Sequence, residues 1–228
     1  MDNDRNRKSA GRVGPKPESA DPDEKANGRR QRRAAETRLK LFRAALGLFA
    51  ERGFSNVTVE DITEAADVGK GTFFNYFATK DHVLGVMAEI QLAKVREAAG
   101  QSLMSTPSIH DVLHGLALRL VEEPGRSPAL ARAVISSFVA SDVVRGLLEN
   151  RLMEGRNTVA QLVEQGQKRG EIDAQLNKST VALQFQRTLM GTILFWSLHS
   201  KPSLAKSVED SFQLFWRGIA AARQESKS

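Results

Sequence analysis

The sequence contains no cysteine, which excludes a disulfide framework and any thiolate metal site. Its first residues carry charge where a secretory signal would need an apolar run, so a cytoplasmic protein is expected. Long hydrophobic runs are also missing. The longest, LMGTILFWSL from Leu189 to Leu198, falls well short of the roughly 20 residues of a membrane span and reads as a buried helix. No stretch alternates as a half-buried strand does, and no repeat is detectable. Aromatics are few, with 2 Trp, 1 Tyr and 11 Phe, yet Phe73, Phe74, Tyr76 and Phe77 stand almost side by side.

The patterns of catalysis are missing as well. No serine, cysteine or carboxylate constellation marks a reaction centre. His110 and His114 lie one helical turn apart, but no third ligand is apparent and no His-Glu-x-x-His occurs, so no metal is expected. The stretch DVGKGTFFNYF, Asp67 to Phe77, contains Gly-Lys-Gly-Thr. A phosphate loop in that register would need glycine where Glu64 stands and a hydroxyl where Gly71 stands. Neither a cofactor nor an enzymatic activity is expected.

What is present is localised charge. The net charge of +6 is not spread evenly: residues 29–52 alone carry +6, residues 1–28 are neutral, 53–88 carry −3 and 89–228 carry +3. A positive block beside a folded segment suits the phosphate backbone of a nucleic acid, although a solvated helix face has the same composition.

Residues 1–28 lack large apolar side chains and read as a disordered tail. From about Arg33, Leu41, Ala45, Leu48 and Phe49 recur at helical spacing. Gly53 and Phe54 then supply a left-handed stop with a hydrophobic contact after it. Thr58 and Asp61 form a capping box for a short second helix ending near Asp67. Asp67, Val68 and Gly69 make a tight turn into a helix over about 70–77, the arrangement of a helix-turn-helix. Thr79 caps a long helix from Lys80 to about Leu103. Further helices follow Ser127, Ser141, Asn177 (to about Ser200) and Ser203 (to about Arg223), with Gly170 closing one of them. The total is about nine helices in an all-α chain.

Residues 38–84, RLKLFRAALGLFAERGFSNVTVEDITEAADVGKGTFFNYFATKDHVL, closely resemble the DNA-binding domain of tetracycline-repressor-like (TetR family) regulators. The pattern includes the Ala-Ala and Leu-Phe first helix, the Gly-Phe exit, the Thr-capped second helix, the aromatic-rich recognition helix and the lysine after it. The later helices match in number, in length and in the KRGEI turn, Lys168 to Ile172. Asp67, Gly69 and Phe74 stand where the family commonly has Gly, Ser and Tyr.

Helix starts near Thr58, Lys70 and Lys80 offer free amides to phosphate, and Gly71 allows close approach. The resemblance implies that Lys70, Thr72 and Asn75 face the major groove and that Tyr76 and Lys80 hold phosphates. It also implies that Arg29 to Arg38, Arg33 among them, reach the minor groove or backbone. Phe74 is left with an apolar contact to sugar or a thymine methyl, while Phe73 and Phe77 belong to the core. The domains expected are a tail at 1–28, a helix-turn-helix domain at 29–84 and an effector-binding and dimerisation domain at 85–228.

The last two helices carry apolar residues on more faces than one subunit can cover. Phe185, Leu189, Trp196, Phe212, Phe215 and Ile219 are the expected dimer interface. The function expected is a homodimeric repressor that binds a palindromic double-stranded DNA operator and answers to a small-molecule effector whose contacts the sequence does not name. An α-helical enzyme or carrier, or a nonspecific architectural DNA-binding protein, are the alternatives. Because the 29–52 block would displace counterions, DNA affinity should fall steeply between about 50 and 200 mM salt. Binding titrations across that range check this, and a flat response would exclude the charge block from the interface.

Overall fold

The computed structural model describes residues 22–104 and 107–222. Among these residues there are nine α-helices and no strand. They are α1 (Pro22–Arg52), α2 (Val59–Ala65), α3 (Lys70–Phe74), α4 (Asp81–Met104), α5 (Ile109–Leu120), α6 (Pro128–Ala140), α7 (Asp142–Lys168), α8 (Lys178–His199) and α9 (Leu204–Ile219). The chain divides into two compact units, Met1–Thr37 and Arg38–Ser228. In the first, Arg33 is exposed and its carbonyl accepts a hydrogen bond from the Thr37 hydroxyl at 2.9 Å.

The start of α1 differs from expectation. The segment read as a tail ends in helix from Pro22 onward, and residues 1–21 lie outside the described residues. Lys, Ala, Arg, Gln and Glu are good helix formers, and extending a helix already nucleated downstream needs no new nucleus. At its other end α1 stops as its sequence dictates. Gly53 takes φ +77°, its amide reaches the Phe49 carbonyl at 3.0 Å, and the Phe54 ring packs edge-on against Phe49 at 5.0 Å.

Two clusters of buried side chains hold residues 38–222. The first joins Leu41, Phe42 and Phe49 of α1, Ile62 of α2, Phe73 of α3 and Val83 to Met87 of α4. It also includes Leu130, Ala133 and Val144 from α6 and α7, so the boundary expected at 84/85 falls inside one helix and one shared core. The second is built from the distal part of α4 with α5, α7, α8 and α9, and includes Leu113, Leu162, Phe185 and Phe212. Serines cap the helices as the sequence indicates: Ser127, Ser141 and Ser203 accept amide protons of α6, α7 and α9, and Asn177 accepts two from α8.

The KRGEI turn is a structural joint. Gly170 takes φ +72° and the Glu171 amide returns to the Gly166 carbonyl at 2.9 Å, which closes α7. The Glu171 carboxylate accepts the Ile109 amide at 2.6 Å, filling a vacant donor at the start of α5. Its backbone then pairs with the end of α9, Asp173 amide to Ile219 carbonyl at 2.9 Å and Ala221 amide to Glu171 carbonyl at 3.0 Å. That pairing ends α9 at Ile219, four residues short of Arg223, because Ala220 is drawn into an extended conformation.

Gly166 is where this joint has no slack. A Cβ there would lie 2.7 Å from Ile172 Cδ1 and 3.3 Å from Ile109 Cγ2, and both isoleucines are fully buried. Gly166→Val should therefore destabilise the fold by about 1–3 kcal/mol through overpacking, measured as a lowered urea midpoint. An unchanged midpoint would show that Ile172 yields freely.

Candidate nucleic-acid interface

α2 and α3 are too short to persist alone, and their positions come from the side chains they bury. Phe73 and Phe77 are 0% and 2% exposed, with rings 5.4 Å apart, and they dock α3 on the first core. The helix itself ends at Phe74, earlier than the 70–77 expected, and Asn75 and Tyr76 continue as a turn. α2 is fixed by a reciprocal cap. The Thr58 hydroxyl accepts the Asp61 amide at 3.1 Å, while Asp61 Oδ2 accepts the Thr58 amide at 2.8 Å and its hydroxyl at 2.6 Å. Those bonds, the hydroxyl first, hold the Asp61 carboxyl below its ordinary range, and Arg52 adds an ion pair at 3.0 Å.

With α3 anchored by one face, its other residues are presented outward. Gly71, Phe74 and Asn75 are exposed, Phe74 at 50%. A Cβ at Gly71 would meet nothing, so this glycine is not required by the chain's own packing. The Thr72 hydroxyl, the Asn75 amide and the Tyr76 hydroxyl hydrogen-bond to no other described residue, although the Tyr76 ring is partly buried against the core. Lys70 is paired with Glu60 across the turn, and this bond lowers the Glu60 pKa. Both side chains are more than half exposed, so the pair is a weak one that a phosphate or base can displace. Asp67 takes the left-handed conformation at φ +47° with its side chain wholly in solvent, 3.9 Å from Lys40.

Residues 41–87 match the family described as bacterial regulatory proteins, tetR family. The transcriptional regulator TcmR of Streptomyces glaucescens is 48% identical over 56 residues, a match spanning 25% of each chain. UidR of Escherichia coli is 26% identical over 153 residues, 64% of this chain and 74% of that one. The solved structure of Thermus thermophilus FadR, a TetR-family repressor in complex with lauroyl-CoA, aligns with a TM-score of 0.61 and 25% identity, covering 84% of this chain and 99% of that one. Residues 41–87 of this chain form a tetR-family domain.

Within this domain two residues expected at the DNA have other work. Lys80 sends its ammonium into the 3₁₀ turn at Phe54–Asn56 and the residue after it, donating to the carbonyls of Phe54 at 2.9 Å, Ser55 at 3.3 Å and Val57 at 2.8 Å. It also lies 4.8 Å from the centre of the Phe54 ring. An ammonium has three donors and all are committed, so Lys80 is a clamp on the chain rather than a phosphate ligand. Thr58 is corrected for the same reason: its hydroxyl and its amide are both consumed by Asp61. The first turn of α2 also carries Glu60 and Asp61, which oppose an incoming phosphate.

The expected dimer residues are corrected too. Phe185, Leu189, Trp196, Phe212 and Ile219 are all under 10% exposed in their own chain's core, and Phe215 packs against it. The apolar side chains that α8 and α9 do expose are Met190, Leu194, Phe195, Leu198 and Leu214, with Phe195 at 64% and Leu214 at 70%. The run from Leu189 to Leu198 is thus buried on one face only. Counting apolar residues reveals a two-sided helix; which side faces inward needs the phase set by packing.

A cavity of about 260 Å³ lies among α4, α6, α7 and α8, lined by apolar side chains such as Leu92, Ile135 and Phe185 together with Gln91, Arg151, Arg156 and Gln186. Sequence reading named none of these four. For Gln91 the signal was a polar residue between the apolar Ile90 and Leu92, whereas Arg151 and Arg156 lie in a polar stretch that gave none. His110 and His114 stack against each other, and His110 also packs edge-on against Trp216. His114 Nε2 pairs with Glu209, and this bond, more than that of Gln213, lowers the Glu209 pKa. Among the described residues no three potential ligands converge on a metal position.

Lys80 and Tyr76 make opposite predictions. Lys80→Met should lower stability by about 1.5–3 kcal/mol, since its bonds are charge-assisted and partly buried. Tyr76→Phe should leave the melting temperature in place and weaken DNA binding by about 1 kcal/mol. Thermal melts beside DNA titrations of both variants separate the roles; the reverse pattern would restore Lys80 as a phosphate contact.

Proposed function

We propose that this TetR-family regulator is a homodimeric repressor that binds a near-palindromic operator and leaves it when a small molecule fills the cavity among α4, α6, α7 and α8. The observation that carries the reading is the division of α3 into a buried and an unpartnered face. Phe73 is fixed in the core while Gly71, Thr72, Phe74 and Asn75 are left for a partner, and Lys70 is held only by its exposed pair with Glu60. A side-chain amide and a hydroxyl are groups that read base edges in the major groove, and Gly71 removes the Cβ that would hold the backbone away. Tyr76 then donates to a phosphate, Lys70 exchanges Glu60 for DNA, and Arg33 belongs to the backbone or minor-groove contacts.

Dimerisation is supported by the exposed face of α8 and α9. Phe195 stands beside Gly191, Ser207 and Ser211, small residues that leave room for a knob from a second copy. A two-fold pair of such faces forms a four-helix bundle and sets two recognition helices against two half-sites.

Release follows from α4. Leu84 and Met87 line the cavity and are also members of the first core, so a ligand touching them acts on the packing that positions α2 and α3. Ser141 adds a second tie, donating to Asp81 at 2.8 Å at the start of α4 while capping α7. A ligand that favours one packing of these residues shifts the operator-binding population by its differential affinity. Among the described residues no helix is long and apolar enough to cross a membrane, in keeping with action at DNA in the cytoplasm.

The test is selection of bound fragments from genomic DNA followed by titration of the recovered site. A regulator prefers one short inverted repeat over random DNA by about 10³-fold or more. Equal affinity for both would identify a nonspecific architectural protein. Phe195→Asp should give a folded monomer by sedimentation, with operator affinity reduced at least roughly tenfold through loss of the second half-site. A dimer that persists in this variant would place the interface elsewhere.

A further inference from the structure

The polar groups of the cavity constrain what it takes. Gln91 is held in one orientation: its Nε2 donates to the Leu120 carbonyl at 3.1 Å and to Glu123 Oε2 at 3.4 Å. Two acceptors on that side exclude the flipped amide, so the other end is an oxygen. That Oε1 is buried and receives no hydrogen bond from the protein. Gln186 Oε1 is buried without a donor as well, and its Nε2 has only the Met190 sulfur at 3.9 Å. Both glutamines line the cavity, and their unmatched oxygens are groups that a molecule bringing hydroxyl or N–H donors would satisfy.

Charge gives the second constraint. Arg151 and Arg156 line the cavity and no carboxylate does. Neither guanidinium has an ion pair or hydrogen bond among the described residues, whereas Arg96, on the neighbouring α4, is paired with Glu154 of α7. Arg156 is half-buried. A guanidinium keeps its charge at any physiological pH and presents paired N–H groups that fit a carboxylate in a bidentate manner.

We infer that the cavity selects an organic acid with an apolar body that also carries at least one hydroxyl or N–H donor, the acid meeting Arg156 and the donor meeting Gln91. This rests on the cavity being the effector site. The apolar body fills the space between α4 and α8, where Leu92, Ile135 and Phe185 provide its contacts. Both polar partners come from different helices, Gln91 from α4 and Arg156 from α7, so the ligand bridges elements that belong to the release pathway.

The full chain is titrated by calorimetry with 3-hydroxydecanoate, decanoate, 1,3-decanediol and lauroyl-CoA, and operator affinity is measured with each in parallel. The hydroxy acid should bind roughly tenfold more tightly than decanoate and than the diol. Arg156→Gln should abolish the advantage over the diol, and Gln91→Leu the advantage over decanoate, with urea melts confirming that both variants are folded. Equal binding of acid and diol, or an acid preference that survives Arg156→Gln, overturns the inference. So does binding of none of the acids, or tighter binding of lauroyl-CoA that Arg156→Gln leaves intact. A hydroxy acid that binds with the expected preferences yet leaves operator affinity unchanged supports the ligand class and instead refutes the effector reading.

Discussion

α4 buries one end in one core and the rest in another, and most of the arrangement follows from that. Val83, Leu84, Val86 and Met87 close the core beneath α2 and α3, while Val95 and Ala98 enter the core formed with α5, α7, α8 and α9. A helix of 24 residues joined by continuous backbone hydrogen bonds cannot bend sharply without a break, and no proline interrupts it. Displacement of either end is therefore transmitted to the other. The cavity lies along this helix, and the proposed release mechanism depends on that placement.

The surface proposed to meet DNA is defined by what the chain does not need for itself. Lys80, Thr58 and Asp61 satisfy backbone groups of the turn and of α2, and their polarity is consumed there. Thr72, Asn75 and Tyr76 keep unpaired polar groups at the surface, where water satisfies them at little cost until a partner displaces it. The same principle operates inside. Gln91 and Gln186 hold amide oxygens that the protein leaves without donors, in a place where such groups are costly, and Arg156 holds a charge without a counterion. Unmatched polarity at the surface is ordinary, while unmatched polarity within a cavity is a statement about its occupant.

α8 shows how one helix can carry two apolar faces. Phe185, Leu189 and Trp196 complete the chain's own core, and Met190, Leu194, Phe195 and Leu198 remain outside it. A helix apolar on both sides leaves an exposed patch that association removes from water. The pairing of the Glu171 segment with Ile219 and Ala220 holds α9 beside it and gives the exposed face a fixed shape.

Features whose physics is local were legible in the sequence. Thr58 with Asp61, Ser141, Asn177 and the stops at Gly53 and Gly170 depend on bonds spanning a few residues, so residue type and spacing determine them. Helix content, the helix-turn-helix and the core roles of Phe73 and Phe77 followed from the same signals. Only the tertiary structure decided that Lys80 turns back onto the Phe54 turn, which face of α8 is inward, and that Gln91 and Arg156 share one cavity. The contacts of Lys80 and the meeting of Gln91 with Arg156 bring together residues 23 or more positions apart in the chain. A lysine after a turn or an apolar heptad is compatible with either outcome until packing sets its direction.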